Sequence, residues 1–188
     1  MLDAARRLIS DKGGDFTTQD LVAEAGVALQ TFYRYFASKD ELLLAVIGDA
    51  MTEACDRWSK AAADIPDPLD RLRSYVVAPL EQFDGDGHEA AGMRFIVSTH
   101  WRLHRIFPME LAEAEKPFVD LWRAELNAAV DAGLVHPQNP EWDAWFIVEL
   151  LRAVYHYYAY AAKVDDDMTV VKEKLWQFCR TALGAPRT

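Results

Sequence analysis

Apolar residues recur along this chain at every third or fourth position, and runs alternating with period two are absent, so the pattern predicts an all-α fold. Leu2, Ala5, Leu8 and Ile9 form one stripe, and Gly13-Gly14 close that first helix. Thr17 caps a short second helix carrying Leu21, Val22 and Ala25. Gly26-Val27 makes a tight turn, and Leu29 to Phe36 forms a third helix. Ser38-Lys39-Asp40-Glu41 has the form of a capping box, in which the Ser hydroxyl accepts a backbone N–H and the Glu reaches back three residues. It starts a long helix, to about Ala63, with Leu42, Leu43, Val46 and Ile47 near its beginning.

Ile65-Pro66-Asp67-Pro68 then breaks the chain, because neither proline continues a preceding helix. Helices follow over 69–83 and 89–105, separated by the loop Asp84-Gly85-Asp86-Gly87. Pro108 interrupts the second of them. A further helix, with Pro117 in its first turn or at a kink, runs to Ala132 and is closed by Gly133. Asn139-Pro140 caps and starts another that ends near Lys163, and Asp165-Asp166-Asp167 separates it from a last helix over 168–183.

The helix over 141–163 confines Glu149, Arg152, His156 and Lys163 to one narrow strip and is apolar elsewhere, so it must be buried on more than one side. Leu151, Val154 and Tyr158, with Val171, Leu175 and Phe178 of the last helix, are candidates for a four-helix bundle across a two-fold axis. A single larger core within one chain is the alternative.

Composition narrows the picture. The chain has 188 residues, 51% hydrophobic, with 20 basic against 30 acidic side chains and a net charge of −10. That balance argues against a surface coated by nucleic acid or anionic lipid, but it leaves room for one small DNA-reading face. No apolar run is long enough to span a bilayer, and the N-terminus lacks a signal-peptide layout. Cys55 and Cys179 cannot build a disulfide framework and fit a reducing compartment, so a cytoplasmic location is expected.

The second helix, the Gly26 turn and the third helix have the spacing of a helix-turn-helix. Leu21, Val27 and Phe32 can join the two helices, which leaves Gln30, Thr31, Tyr33, Arg34 and Tyr35 outward, where a recognition helix meets the major groove. Packing of Tyr33 and Tyr35 on the next helix is the alternative. Lys39, at the start of the following helix, offers a cation and neighbouring backbone N–H groups to a phosphate.

The stretch Leu2 to Ile47 resembles the TetR (tetracycline-repressor-like) family of transcriptional regulators, above all in Ala25-Gly26-Val27, Thr31-Phe32-Tyr33-Arg34-Tyr35-Phe36 and Ser38-Lys39-Asp40-Glu41-Leu42. The resemblance implies a DNA-binding domain over 1–47, a ligand-binding and dimerisation domain over 48–188, and a homodimer. Such a dimer reads a palindrome with recognition helices about 34 Å apart. By position in the motif, Thr18, Gln19, Gln30, Thr31, Tyr33, Arg34, Tyr35 and Lys39 take the DNA-contact roles. Two features depart from the family. Residues 1–48 carry five basic and seven acidic side chains, less basic than a DNA-reading module usually is. Met1 also stands where the family has an interior residue of its first helix, so an upstream basic arm is expected in a longer chain, with stronger salt-dependent DNA binding.

Aromatic residues concentrate in the middle helices, where the family fold leaves a cavity. Tyr75, Phe95, His100, Trp101, His104, Phe118, Trp122 and Trp145 are the candidate pocket residues, for a small hydrophobic or aromatic effector. His100, Arg102, His104 and Arg105 are candidate polar anchors; plain core packing or a solvated face is the competing role for each. His100 and His104 stand one turn apart, yet no third ligand is evident, so no metal is expected. The Asp84–Gly87 stretch lacks the later ligands of a calcium loop. No nucleophile elbow, phosphate-cradling glycine loop or C-x-x-C occurs, so neither a cofactor nor enzymatic activity is expected. The sequence reads as a repressor that leaves its operator when the effector binds. An all-α small-molecule-binding protein or enzyme without sequence-specific DNA binding is the alternative, as are a regulator that activates or needs a protein partner and has no small-molecule response, and a purely structural dimer.

Overall fold

The computed structural model of the chain describes residues 1–12, 15–84, 90–160 and 166–186, and the regular elements among them are all helical. In order they are α1 (Leu2–Lys12), α2 (Thr18–Ala25), α3 (Leu29–Tyr35), α4 (Lys39–Ala62), α5 (Pro68–Val77), a 3₁₀ segment (Ala78–Phe83), α6 (Ala90–Ile106), α7 (Pro108–Asp131), α8 (Pro140–Tyr160) and α9 (Met168–Ala182). The predicted Gly13-Gly14 stop, most of the loop after Asp84 and the end of the α8 pattern near Lys163 lie outside the described residues.

Local chemistry fixes most boundaries. Asp67 and Asp167 accept the N–H groups of Leu69 and Thr169, at 2.7 and 2.8 Å, and so cap α5 and α9. Asn139 caps α8 by accepting from Trp142 at 3.2 Å. Two expectations are corrected. The helix predicted over 69–83 is α-helical only to Val77. Pro79 supplies no N–H for the next helical bond, and the chain tightens into 3₁₀ turns. Of the two places expected for Pro117, the first turn is excluded: it lies in the interior of α7, while Pro108, whose missing N–H costs nothing in a first turn, begins that helix.

The chain divides into two units, one of residues 1–52 with 88–116, the other of 53–87 with 117–188. Each has its own hydrophobic core. The first is built on Ala5, Leu21, Phe32, Leu42 and Leu43, and it also takes in Leu103 of α6 and Leu111 of α7. The second is built on Leu72, Tyr75, Trp122, Leu126, Ile147 and Cys179. α6 and the start of α7 therefore belong with the helix-turn-helix, which a boundary at residue 47 does not convey. α4 and α7 each run from one unit into the other. Among the described residues, no helix is long and apolar enough to cross a membrane.

Candidate nucleic-acid interface

Thr17 and Asp20 make the start of α2 rigid. The Asp20 N–H donates to Thr17 Oγ1 at 3.1 Å, and the Asp20 carboxylate accepts the Thr17 N–H and hydroxyl, both at 2.7 Å. Those hydrogen bonds stabilise the ionised form and hold the Asp20 carboxyl below its usual range. At the other end Gly26 adopts φ +65°, and its N–H caps the carbonyls of Ala23 and Val22. A side chain there would meet open space, so glycine is demanded by backbone conformation and not by crowding. Leu21 of α2 and Phe32 of α3, both fully buried, seal the two helices together.

With Phe32 turned inward, α3 presents its other side to solvent. Gln30, Tyr33, Arg34 and Tyr35 are exposed and Thr31 is half-buried; Gln30, Thr31, Tyr33 and Arg34 line one shallow open hollow. Tyr33 is 56% and Tyr35 62% exposed, so neither packs into the α4 face. The Arg34 guanidinium stacks 4.9 Å from the Tyr35 ring centre and donates to its hydroxyl at 3.3 Å. Gln19 is exposed and Thr18 half-buried in the first turn of α2.

The remaining cations of this region are tied into the fold. Arg6 of α1 pairs with Asp49 of α4 at 2.8 Å, and Arg7 pairs with Glu24 of α2 at 2.7 Å. Lys12 stands 3.8 Å from Asp20. Lys39 departs most from its expected role. Its ammonium donates to the Phe16 carbonyl and lies 4.0 Å over the Phe16 ring, part-buried, with its pKa lowered first by desolvation and then by Arg102. The capping box at α4 also closes differently. Ser38 accepts the Glu41 N–H at 3.1 Å, but the Glu41 carboxylate takes the N–H of Ala37, one residue further back, at 2.7 Å.

The candidate effector residues divide between the two units. Tyr75, Phe118 and Trp122 join the second core, where Phe118 meets Trp58 edge-on at 5.7 Å. Phe95 packs against the first core. His100, 7% exposed, has its Nε2 2.7 Å from a Glu115 carboxylate oxygen and is stacked on His104 within the first unit. Trp101 and Trp145 are 60% and 50% exposed, and His104 is exposed. Sequence reasoning did not single out the indole N–H of Trp122, a fully buried donor with no acceptor among the described residues. Among the same residues no group of three His, Cys, Asp or Glu side chains is arranged to hold a metal ion.

The bundle candidates also separate. Leu151 is buried within its own core and has little surface for a partner, Leu175 is buried but still lines the edge of an open groove, and Phe178 is 63% exposed. Ala153, Val154, Tyr157 and Tyr158 of α8 and Val170, Val171 and Lys174 of α9 line an open, mainly apolar groove. The periodic pattern could not fix the rotation of α8, because a helix apolar on most sides shows no preferred face.

A family model described as bacterial regulatory proteins, tetR family, matches residues 1–46. The chain is 29% identical over 133 residues to the HTH-type transcriptional regulator EthR of Mycobacterium tuberculosis, a match covering 70% of this chain and 59% of that protein. It is 26% identical over 190 residues to the uncharacterized HTH-type transcriptional regulator YvdT of Bacillus subtilis, covering 98% of this chain and 93% of the relative. Among solved structures, the fold is similar to that of the transcriptional regulator FadR from Bacillus subtilis in complex with stearoyl-CoA. That likeness has a TM-score of 0.75 at 16% identity and covers 96% of each chain.

Proposed function

We propose that this chain, whose residues 1–46 match the tetR family model of bacterial regulatory proteins, is a regulator of that family: a homodimeric repressor that binds a palindromic DNA operator and is released by a small apolar effector. The observation that carries this reading is the outer side of α3, where Gln30, Tyr33, Arg34 and Tyr35 stand exposed while Phe32 anchors the same helix from within. Tyr and Gln side chains hydrogen-bond base edges and phosphates, and Arg34 supplies a cation suited to guanine or phosphate. Thr18 and Gln19 fit phosphate contacts from the start of α2.

The other components follow from the two units. The apolar groove on α8 and α9 supports a two-fold contact there, which would give the protein two recognition helices. The aromatic second core supports an apolar effector, with the Trp122 N–H as a donor for one acceptor atom of that molecule. One structural neighbour, FadR from Bacillus subtilis, is in complex with stearoyl-CoA, a ligand with a long apolar chain. α4 and α7, which enter both units, are the covalent routes for coupling the two events. A coupling of about 1–3 kcal/mol would weaken operator binding roughly 5–150-fold. In this role the protein works in the cytoplasm and carries no catalytic group.

The test is a fluorescence-anisotropy titration against labelled duplexes from the DNA flanking its own gene. The protein should select one duplex over bulk DNA by about 10³-fold or more. Tyr33→Ala with Arg34→Ala should remove that preference while sedimentation still shows the same oligomer. Retained selectivity in this double variant would reject α3 as the reading helix, and a wild type with no preference would favour a ligand-binding protein that does not read DNA.

A further inference from the structure

Two carboxylates, Asp40 and Glu41, occupy the first turn of α4, the helix start proposed to meet a DNA phosphate. An acidic side chain is favourable at a helix N-terminus by itself, but next to a phosphate it is repulsive. Glu41 is engaged at 2.7 Å by the Ala37 N–H, and Lys39 is folded back onto Phe16. The group that covers Asp40 comes from elsewhere in the same unit. Arg102 of α6 places Nη2 2.9 Å from Asp40 Oδ1, with 42% of its side chain still exposed. Its neighbour Leu103 is fully buried in the first core, so the guanidinium is carried by an anchored helix and not by a loose loop.

We propose that Arg102 is a positioning residue for DNA binding: it neutralises Asp40, so that a backbone phosphate can approach the first-turn amides of α4. The proposal rests on the DNA-binding reading and adds to it a cation outside the helix-turn-helix. It accounts for how a module with more acidic than basic residues can face a polyanion, since its most awkward carboxylate is balanced from α6.

The experiment measures anisotropy of the same labelled flanking duplex with wild type, Arg102→Ala, Asp40→Asn and the double variant, across a salt series. Arg102→Ala should weaken binding about tenfold, as expected for one uncovered carboxylate about 6 Å from a phosphate at an effective dielectric constant of ~40. Asp40→Asn should bind at least as well as wild type. In the double variant the site is neutral again, so affinity and salt slope should return to those of wild type. A double variant still about tenfold weaker than wild type, or with a salt slope flattened by about one unit relative to wild type, would mean that Arg102 touches DNA itself and would overturn the proposal. Equal binding by wild type and Arg102→Ala would overturn it too. A wild type that binds no duplex refutes the DNA-binding reading itself, which separates the two failures. Asp40→Asn breaks the same ion pair without touching α6, so a folding defect in the Arg102 variant cannot imitate the rescue.

Discussion

Thr17 sets where α2 begins, and with it where Thr18 and Gln19 stand. Its hydroxyl satisfies one of the N–H groups that a helix start leaves unpaired, and Asp20 returns two bonds. Thr17→Ala should cost about 1 kcal/mol for the lost cap at neutral pH, read from urea unfolding. The acid limb follows in sign. The Asp20 carboxyl is held below its usual 3.8, so its contribution is complete above that value and fades as pH falls through the lowered one. The gap between wild type and Thr17→Ala should therefore narrow in strong acid, and a gap constant with pH would show that Asp20 takes no part. Legibility at this scale was uneven. Thr17, Gly26 and Phe32 could be read because caps, positive-φ turns and buried anchors are local properties. The fate of Lys39 could not, because the Phe16 carbonyl that it reaches lies 23 positions away in the chain. Arg102 looked like a ligand anchor for the same reason, since nothing local in α6 announces Asp40.

Among the helices, the least expected relation is that of α6 and the start of α7 to the helix-turn-helix. Periodicity gives each helix an apolar stripe but does not name its partner, so the sequence suggested a division near residue 47. In the structure Leu103 and Leu111 complete the core of α1 to α4, and His100 is buried against Glu115 alongside them. The 3₁₀ segment after Val77 was legible in principle from Pro79, whose missing N–H was outweighed in the reading by a continuous apolar pattern. The element-level prediction concerns Leu103, which is 0% exposed. Leu103→Ala should destabilise the first unit by about 2–5 kcal/mol through lost burial and a residual cavity. Hydrogen exchange should then show faster opening in α1 and α4 as well as in α6. Loss of protection confined to α6 and α7 would mean that the helix-turn-helix is stable without them.

For the molecule as a whole, the question is what covers the outer side of α8 and α9. Tyr157 and Phe178 are 65% and 63% exposed, and Val170 is 51% exposed, a concentration of large apolar surface that a soluble monomer rarely presents. Burying one such aromatic ring is worth roughly 1.5–3 kcal/mol, so a symmetric contact that covers each twice gains enough to hold two chains together at low concentration. Because neither side chain belongs to the interior, replacing them leaves the fold of one chain intact. Tyr157→Asp with Phe178→Asp should therefore keep the helical circular dichroism and sediment as a monomer, since four carboxylates would have to be buried in the paired state. The net charge of −10 makes the consequence for DNA severe. A lone recognition helix on an acidic chain has too few phosphate contacts to offset long-range repulsion, so selective binding should disappear along with the dimer. If the double variant still sediments as a dimer, the two-fold contact lies elsewhere; if a true monomer keeps its DNA selectivity, paired reading of a palindrome is not how this protein selects DNA.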